Sequence, residues 1–189
     1  MPGKPVMTFA AAPAAGNYGE MPVLGSEIDP QLHLSRNDRP QPFFLVCEKD
    51  TVVVQMTGRG RLEFPDGPAR YFSMEVGDFA YLPGGLPHRY VPAEPSVQYR
   101  YKAREAGLEA VAWYCGSCGG EVARRVFDTA AVLPQEGYAE ACEWFNAETA
   151  RRTCAGCGAV HDPADTAGTR WREIAADVRS GRRDREAAE

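Results

Sequence analysis

A chain of 189 residues, 44% hydrophobic and 25% charged, has the composition of a soluble globular protein, with room for one ordinary domain and at most a small satellite. Its net charge of −5 argues against nucleic acid as a main partner, since neutralising phosphates calls for a basic surface. No apolar run approaches the roughly 18 residues of a membrane span, and the N-terminal MPGKPVMTFAAAPAAGNYG is too short and too interrupted by Pro13 for a signal peptide, so the expected compartment is the cytoplasm.

Residues 1–40 are rich in Pro, Ala, Gly and Asn and read as an irregular arm with at most one short strand or helix. Residues 41–106 change character. The runs FFLVC, TVVVQM, GRLEF, ARYFSME, FAYLP, HRYVP and VQYRYKA are short, apolar or alternating, and are separated by the turn residues TGRG, PDGP, VGD, PGGLP and AEP. Short strands at that spacing imply a small barrel or sandwich. Residues 107–163 read as a further strand, GLEAVAWY, followed by paired cysteines and a helical stretch in which Ala139, Cys142 and Phe145 share a face. Residues 164–189 predict a second helix over 166–180, with Trp171, Ile174, Ala175 and Val178 on its apolar side, and a charged tail, GRRDREAAE.

Four of the six cysteines form two CxxC pairs, Cys115/Cys118 and Cys154/Cys157, each followed by a glycine, Gly119 and Gly158. The glycine lets the backbone turn its amides toward the sulfurs, and two such knuckles supply four thiolates in a tetrahedron. That set suits zinc or iron and leaves no open coordination position, so the expected role is structural. In a reducing compartment this reading outweighs two local redox pairs or four unpaired thiols. His161 is surplus to such a site, and Cys142 fits plain packing.

The stretch GDFAYLPGGLPH aims one of only three histidines, His88, from the end of a strand. The spacing Gly77-(x5)-Pro83-x-Gly85-(x2)-His88 matches the second sequence motif of the cupin family. Together with Trp113-Tyr114-Cys115-Gly116-Ser117-Cys118-Gly119 and Arg152-Thr153-Cys154-Ala155-Gly156-Cys157-Gly158-Ala159-Val160-His161, it makes residues 43–163 resemble bacterial 3-hydroxyanthranilate 3,4-dioxygenase. The resemblance implies a mainly β fold: a cupin (double-stranded β-helix) barrel with a C-terminal rubredoxin-like four-cysteine metal knuckle and short helices. It implies further an aromatic ring opened with O2 at a non-haem iron held by two histidines and a glutamate. Anchored on Gly58, those ligand positions fall on Leu45, Thr51 and His88, and only the last keeps a ligand. The family's substrate-binding positions fall on Pro92, on Arg100 in place of a carboxylate, and near Gln41 or Arg39.

One imidazole does not make a facial triad, so three readings stay open. In the first, His88 holds a metal with recruited ligands, foremost Cys47, or serves as the single axial ligand of a haem. In the second, the barrel is a metal-free pocket in which His88, Arg100, Tyr99 and Tyr101 act on or hold a small molecule, with Tyr90 and Gln55 alongside. In the third, the barrel is a scaffold. The expected function is that of a divergent, oxidoreductase-like cupin in secondary metabolism that acts on a small aromatic or amino-acid-derived molecule with altered chemistry. A homodimer is the expected assembly.

Overall fold

A computed structural model describes residues 7–65 and 70–181. The charged tail expected after Gly181 lies outside the described residues. In chain order they form helix α1 (Thr8–Ala15) and strands β1 (Met21–Pro22), β2 (Gln31–Asn37), β3 (Phe44–Cys47), β4 (Thr51–Thr57), β5 (Gly60–Glu63) and β6 (Tyr71–Met74). Strands β7 (Phe79–Leu82), β8 (Arg89–Pro92), β9 (Ser96–Lys102), β10 (Leu108–Tyr114) and β11 (Glu121–Asp128) come next. Helix α2 (Pro134–Ala147), a 3-10 turn (Thr149–Arg152) and helix α3 (Trp171–Arg179) close the chain. None of these helices is long and apolar enough to cross a membrane.

Two antiparallel sheets enclose the interior. One has the order β1-β2-β9-β4-β7. The other joins β6-β5-β8 to β11-β10-β3 through a bridge in which Leu45 and His88 exchange both backbone hydrogen bonds, at 2.8 and 3.0 Å. This is the cupin barrel that the β-run spacing and the resemblance imply. The β-branched run in β4 supplies the pleat, with Thr51, Val53 and Gln55 buried while Val52, Val54 and Met56 are only partly so. At the turn between β4 and β5, Gly58 has φ +67°, and a Cβ there would lie 2.5 Å from the Pro95 carbonyl oxygen. No other residue type fits that turn without displacement.

Two boundaries differ from the sequence reading. The arm over 1–40 contains α1, and β2 pairs with β9 along its whole length, from Gln31↔Lys102 to Asn37↔Ser96. Strand β2 escapes a hydrophobic reading because its inward side chains are polar: His33, Ser35 and Asn37 share the face of Arg100 and Gln98. The strand expected to begin an extension after residue 107 is β10, which pairs with β3 from Glu109↔Cys47 to Ala112↔Phe44 and so belongs to the barrel wall. The second helix starts at Trp171 rather than 166, after Gly168 at φ +73°, and buries Trp171, Ile174 and Ala175 as its pattern predicts.

Helix α2 starts with Pro134, and Glu136 accepts a hydrogen bond from the Leu133 amide at 3.2 Å. Its buried face presents Tyr138, Ala141, Cys142 and Phe145 to the barrel. Phe145 stacks on Trp113 with ring centroids 3.9 Å apart and planes 2° from parallel, and the Trp113 indole N–H donates to the Pro42 carbonyl at 2.9 Å. Both rings are fully buried. Phe145→Ala should therefore cost about 3–5 kcal/mol, read as a lower urea midpoint at unchanged slope. A loss below about 1 kcal/mol would mean that the helix does not lean on that stack.

Candidate functional site

The four knuckle cysteines come together as their spacing predicts. Their sulfurs all lie within 4.8 Å of one another, with Cys115–Cys157 and Cys118–Cys154 each at 3.6 Å. Metal–sulfur bonds of about 2.3 Å in a tetrahedron put sulfurs roughly 3.8 Å apart, so the chain is already shaped around a cation. Gly119 and Gly158 take φ +76° and +74°, which turns the backbone amides back toward sulfur. Amides of Cys118 and Ser117 stabilise the Cys115 thiolate and draw its pKa down to about 6. Cys157 stays up at about 12 even though the Ala159 amide favours its thiolate, because it shares hydrogen bonds with the Cys115 and Cys118 sulfurs. Four thiols this close ionise together only around a positive charge. The residues fit zinc or iron, and when bound the metal would tie the β10–β11 hairpin to the segment after the 3-10 turn.

The barrel lumen is different. His88 is 1% exposed, and both its ring nitrogens are occupied. Nδ1 donates to the Leu86 carbonyl at 2.9 Å, and Nε2 accepts from Arg100 Nη1 at 2.8 Å. Burial first, and then the Arg100 charge, pushes the His88 pKa down to about 3, so the ring is neutral. The same Arg100 Nη1 donates to Thr51 Oγ1 at 3.2 Å, and Arg100 Nε pairs with Glu20 at 2.8 Å. One guanidinium therefore ties together two of the three positions that the resemblance assigns to iron ligands, and the third, Leu45, is fully buried and has no donor atom.

Charge continues along the wall. Glu20 also pairs with Lys102 at 2.5 Å, Lys102 with Glu109 at 2.8 Å, and the Tyr138 hydroxyl donates to Glu109 at 2.7 Å. Two carboxylates balance two cations, all four nearly or fully buried. Burial alone would raise the Glu20 carboxyl, yet Lys102 and Arg100 bring it down to about 2. Glu20 reaches this place on a backbone with φ +42°, close to Tyr18 at φ +48°, a left-handed excursion that costs about 1–3 kcal/mol per residue and is held by the pairs it permits. Beyond the charges, side-chain amides are linked from Asn37 to Gln98 to Gln55 to the Thr57 carbonyl, each bond 2.8 Å long. What is left open beside Tyr90, Gln41 and Arg100 is about 20 Å³.

These contacts decide among the candidate residues only in part, and they correct several by name. Neither ring nitrogen of His88 is free for a metal or a haem, and the cavity beside its partner Arg100, about 20 Å³, does not hold a porphyrin. Cys47 lies in the barrel core with its thiol pushed up to about 12 by burial, a poor ligand as it stands. Among the described residues, the four knuckle cysteines are the one cluster of three or more metal-ligating side chains. Tyr99 and Tyr101 alternate with Arg100 along β9, so their side chains lie on the other face of the strand, although Tyr99 also borders the small cavity beside Arg100. The Tyr99 hydroxyl hydrogen-bonds to Thr8 and its ring packs on the α1 cluster, while Tyr101 is 37% exposed. The partners that sequence reasoning missed are Glu20, Lys102, Glu109 and Tyr138, while Thr51 was marked only as a ligand position. Lys102 had a signal, since it shares strand parity with Arg100, whereas nothing local marks Glu20.

No family model matches the chain. It is 30% identical over 128 residues to a 3-hydroxyanthranilate 3,4-dioxygenase from Jannaschia sp. (strain CCS1), over 66% of each protein, slightly under two thirds. It is 28% identical over 153 residues to 3-hydroxyanthranilate 3,4-dioxygenase 1 from Aspergillus oryzae (strain ATCC 42149 / RIB 40), over 79% of this chain and 74% of the relative. Solved structures overlap locally. A cupin-2 domain protein from Shewanella frigidimarina has a TM-score of 0.36 at 18% identity over 41% of this chain and 74% of its own. Hydroquinone 1,2-dioxygenase from Sphingomonas sp. TTNP3 with 4-hydroxybenzoate bound has 0.35 at 14% over 40% and 60%. The relation rests on the sequence matches, which bear out the resemblance drawn from the knuckles and the glycine–histidine turn.

Two outcomes follow from the charge network. Lys102→Met leaves two buried carboxylates short of a cation and should cost about 3–5 kcal/mol, measured by urea unfolding; near-neutrality would mean that the carboxylates are not paired as described. Acid should also destabilise the fold in two stages. Unfolded His88 and His33 take up protons near 6.5 but the folded ones only near 3 and 4, so stability falls as pH drops below 6.5. Glu20 adds stability in full above 4.5, lost as pH falls toward 2. His88→Gln should make the slope between pH 6.5 and 4.5 shallower, and an unchanged slope would put the titration elsewhere.

Proposed function

This chain is a divergent cupin related to the 3-hydroxyanthranilate 3,4-dioxygenases, and we propose that it works as a metal-braced binding protein for a small aromatic or amino-acid-derived molecule, without ring opening in its barrel. The observation that carries this reading is the Arg100 guanidinium hydrogen-bonded to His88 Nε2 and Thr51 Oγ1. An iron at those positions would need His88 Nε2 as a ligand, and that lone pair is committed to a cation. No step of an oxygenase reaction is therefore routed through the barrel. The names of the relatives support a small aromatic ligand. The paired cysteine knuckles support a resident zinc or iron whose work is to hold the C-terminal segment against the barrel.

Elemental analysis of the purified protein tests this. The expected result is one metal equivalent per chain, lost in Cys118→Ser and in Cys154→Ser and kept in His88→Ala. No O2 uptake is expected with 3-hydroxyanthranilate and added ferrous iron. A second equivalent that disappears in His88→Ala, or oxygen consumption that depends on His88, would sink the reading.

A further inference from the structure

A second cavity lies outside the barrel lumen, between the β1–β2 edge, the start of α2 and the end of α3. Its volume is about 200 Å³, ten times that left inside the barrel. Leu24, Leu133 and Val178 form apolar walls. Ser26, Gln31, His33, Arg104 and Gln135 supply the polar groups, with the Gln135 amide already given to the Gly19 and Glu20 carbonyls. The Gln31 amide N–H groups are already given to the Gly25 and Ile28 carbonyls at 3.0 and 2.6 Å, so Gln31 braces the wall. Beside the Ser26 hydroxyl, two groups are suited to hold a charged or hydrogen-bonding ligand.

The first is His33. Its Nδ1 is buried and has no hydrogen-bond partner within the protein. The ring donates to the Arg100 backbone, and burial followed by the neighbouring Lys102 charge holds its pKa down at about 4. A neutral imidazole with its one N–H committed has only an acceptor left, and His33 contributes to the cavity wall, with that acceptor buried just behind it. A buried acceptor without a donor is costly, and a ligand hydroxyl or amine would relieve that cost. The second is Arg104. Its side chain is 47% exposed, and its Nη2 meets Glu105 only at 3.3 Å, a solvent-exposed pair of little strength. The guanidinium is free to turn onto an anion, for which its planar fork is shaped.

We propose that this cavity is a binding site for a small hydroxy- or amino-carboxylate. The carboxylate sits on Arg104, a hydroxyl or amine donates to His33 Nδ1, and the apolar body packs on Leu24, Leu133 and Val178. The site rests on the reading of the protein as a binder, and it gives that reading a place and a ligand class. It is separate from the positions where the resemblance puts iron, so ligand entry leaves the Glu20–Arg100–His88 contacts intact.

Isothermal titration of the full, metal-loaded chain with 3-hydroxybenzoate and with mandelate tests it. At least one of the two should bind, and benzoate, which lacks the donor, and 3-hydroxybenzamide, which lacks the charge, should each bind at least tenfold more weakly than 3-hydroxybenzoate. Arg104→Gln and His33→Phe should weaken binding tenfold or more, and Val178→Trp, which fills the cavity, should abolish it. Knuckle metal content and circular dichroism of each variant report whether it has folded. Absence of heat from both probes at millimolar concentration would overturn the proposal, as would binding that survives Val178→Trp and Arg104→Gln. Oxygen uptake tests the barrel alone, so failure there and failure here are told apart.

Discussion

The interior is organised by one guanidinium. Arg100 reaches across from β9 to His88 at the end of the β7–β8 turn, to Thr51 at the head of β4 and to Glu20 from the N-terminal arm. It thereby ties both sheets to a segment that would otherwise lie outside them. A charge buried this deeply would be expensive alone, and its stability depends on Glu20, just as Lys102 depends on Glu20 and Glu109. Each member is tolerable only because the others are present. That mutual dependence explains why the arm carries two residues in left-handed conformations, since relaxing them would withdraw Glu20 from two cations at once.

The cysteine knuckles solve a different problem with the same electrostatics. Residues 115–120 and 154–158 have little apolar surface to bury, and Cys118 and Cys157 are exposed. Packing alone gives such loops little reason to meet. Amides aimed at Cys115 lower its pKa and prepare the cluster for a cation, and the free energy of metal binding then becomes folding free energy for this corner. In the barrel the positive charge is covalent and belongs to Arg100; at the knuckles it is borrowed from solution.

How much of this could be read from the chain depends on the range of the interaction. Turn residues and period-2 runs located β3 to β9, because both signals are local. The knuckles were legible in full for the same reason: the spacing within each CxxC and the following glycine dictate the loop. Strand β2 was missed because its inward residues are polar, which makes sense only once Arg100 and Gln98 stand opposite. His88 was legible as a residue aimed inward and illegible as to its purpose, since its partner arrives on another strand and no spacing encodes that contact. Tyr99 and Tyr101 were grouped with Arg100, although strand parity puts their side chains on the opposite face of β9.

On the proposed reading, the departure from the iron-ligand set that the resemblance implies is a coupled change. Leu45 and Thr51 remove two ligand positions, yet restoring a histidine and a glutamate there would not rebuild the centre. The guanidinium would still hold His88 Nε2 at 2.8 Å, and a dication entering beside it would meet a fixed positive charge at short range in a medium that screens poorly. Removing Arg100 alone would strand Glu20 between a single lysine and an empty pocket. A route to iron would run through at least positions 20, 45, 51 and 100 together: 45 and 51 to supply donor atoms, 100 to free His88 Nε2, and 20 because its carboxylate pairs with that guanidinium. On the proposed reading, the barrel carries a covalent cation where the resemblance puts an exchangeable one, and so lacks the open coordination positions that oxygen chemistry needs.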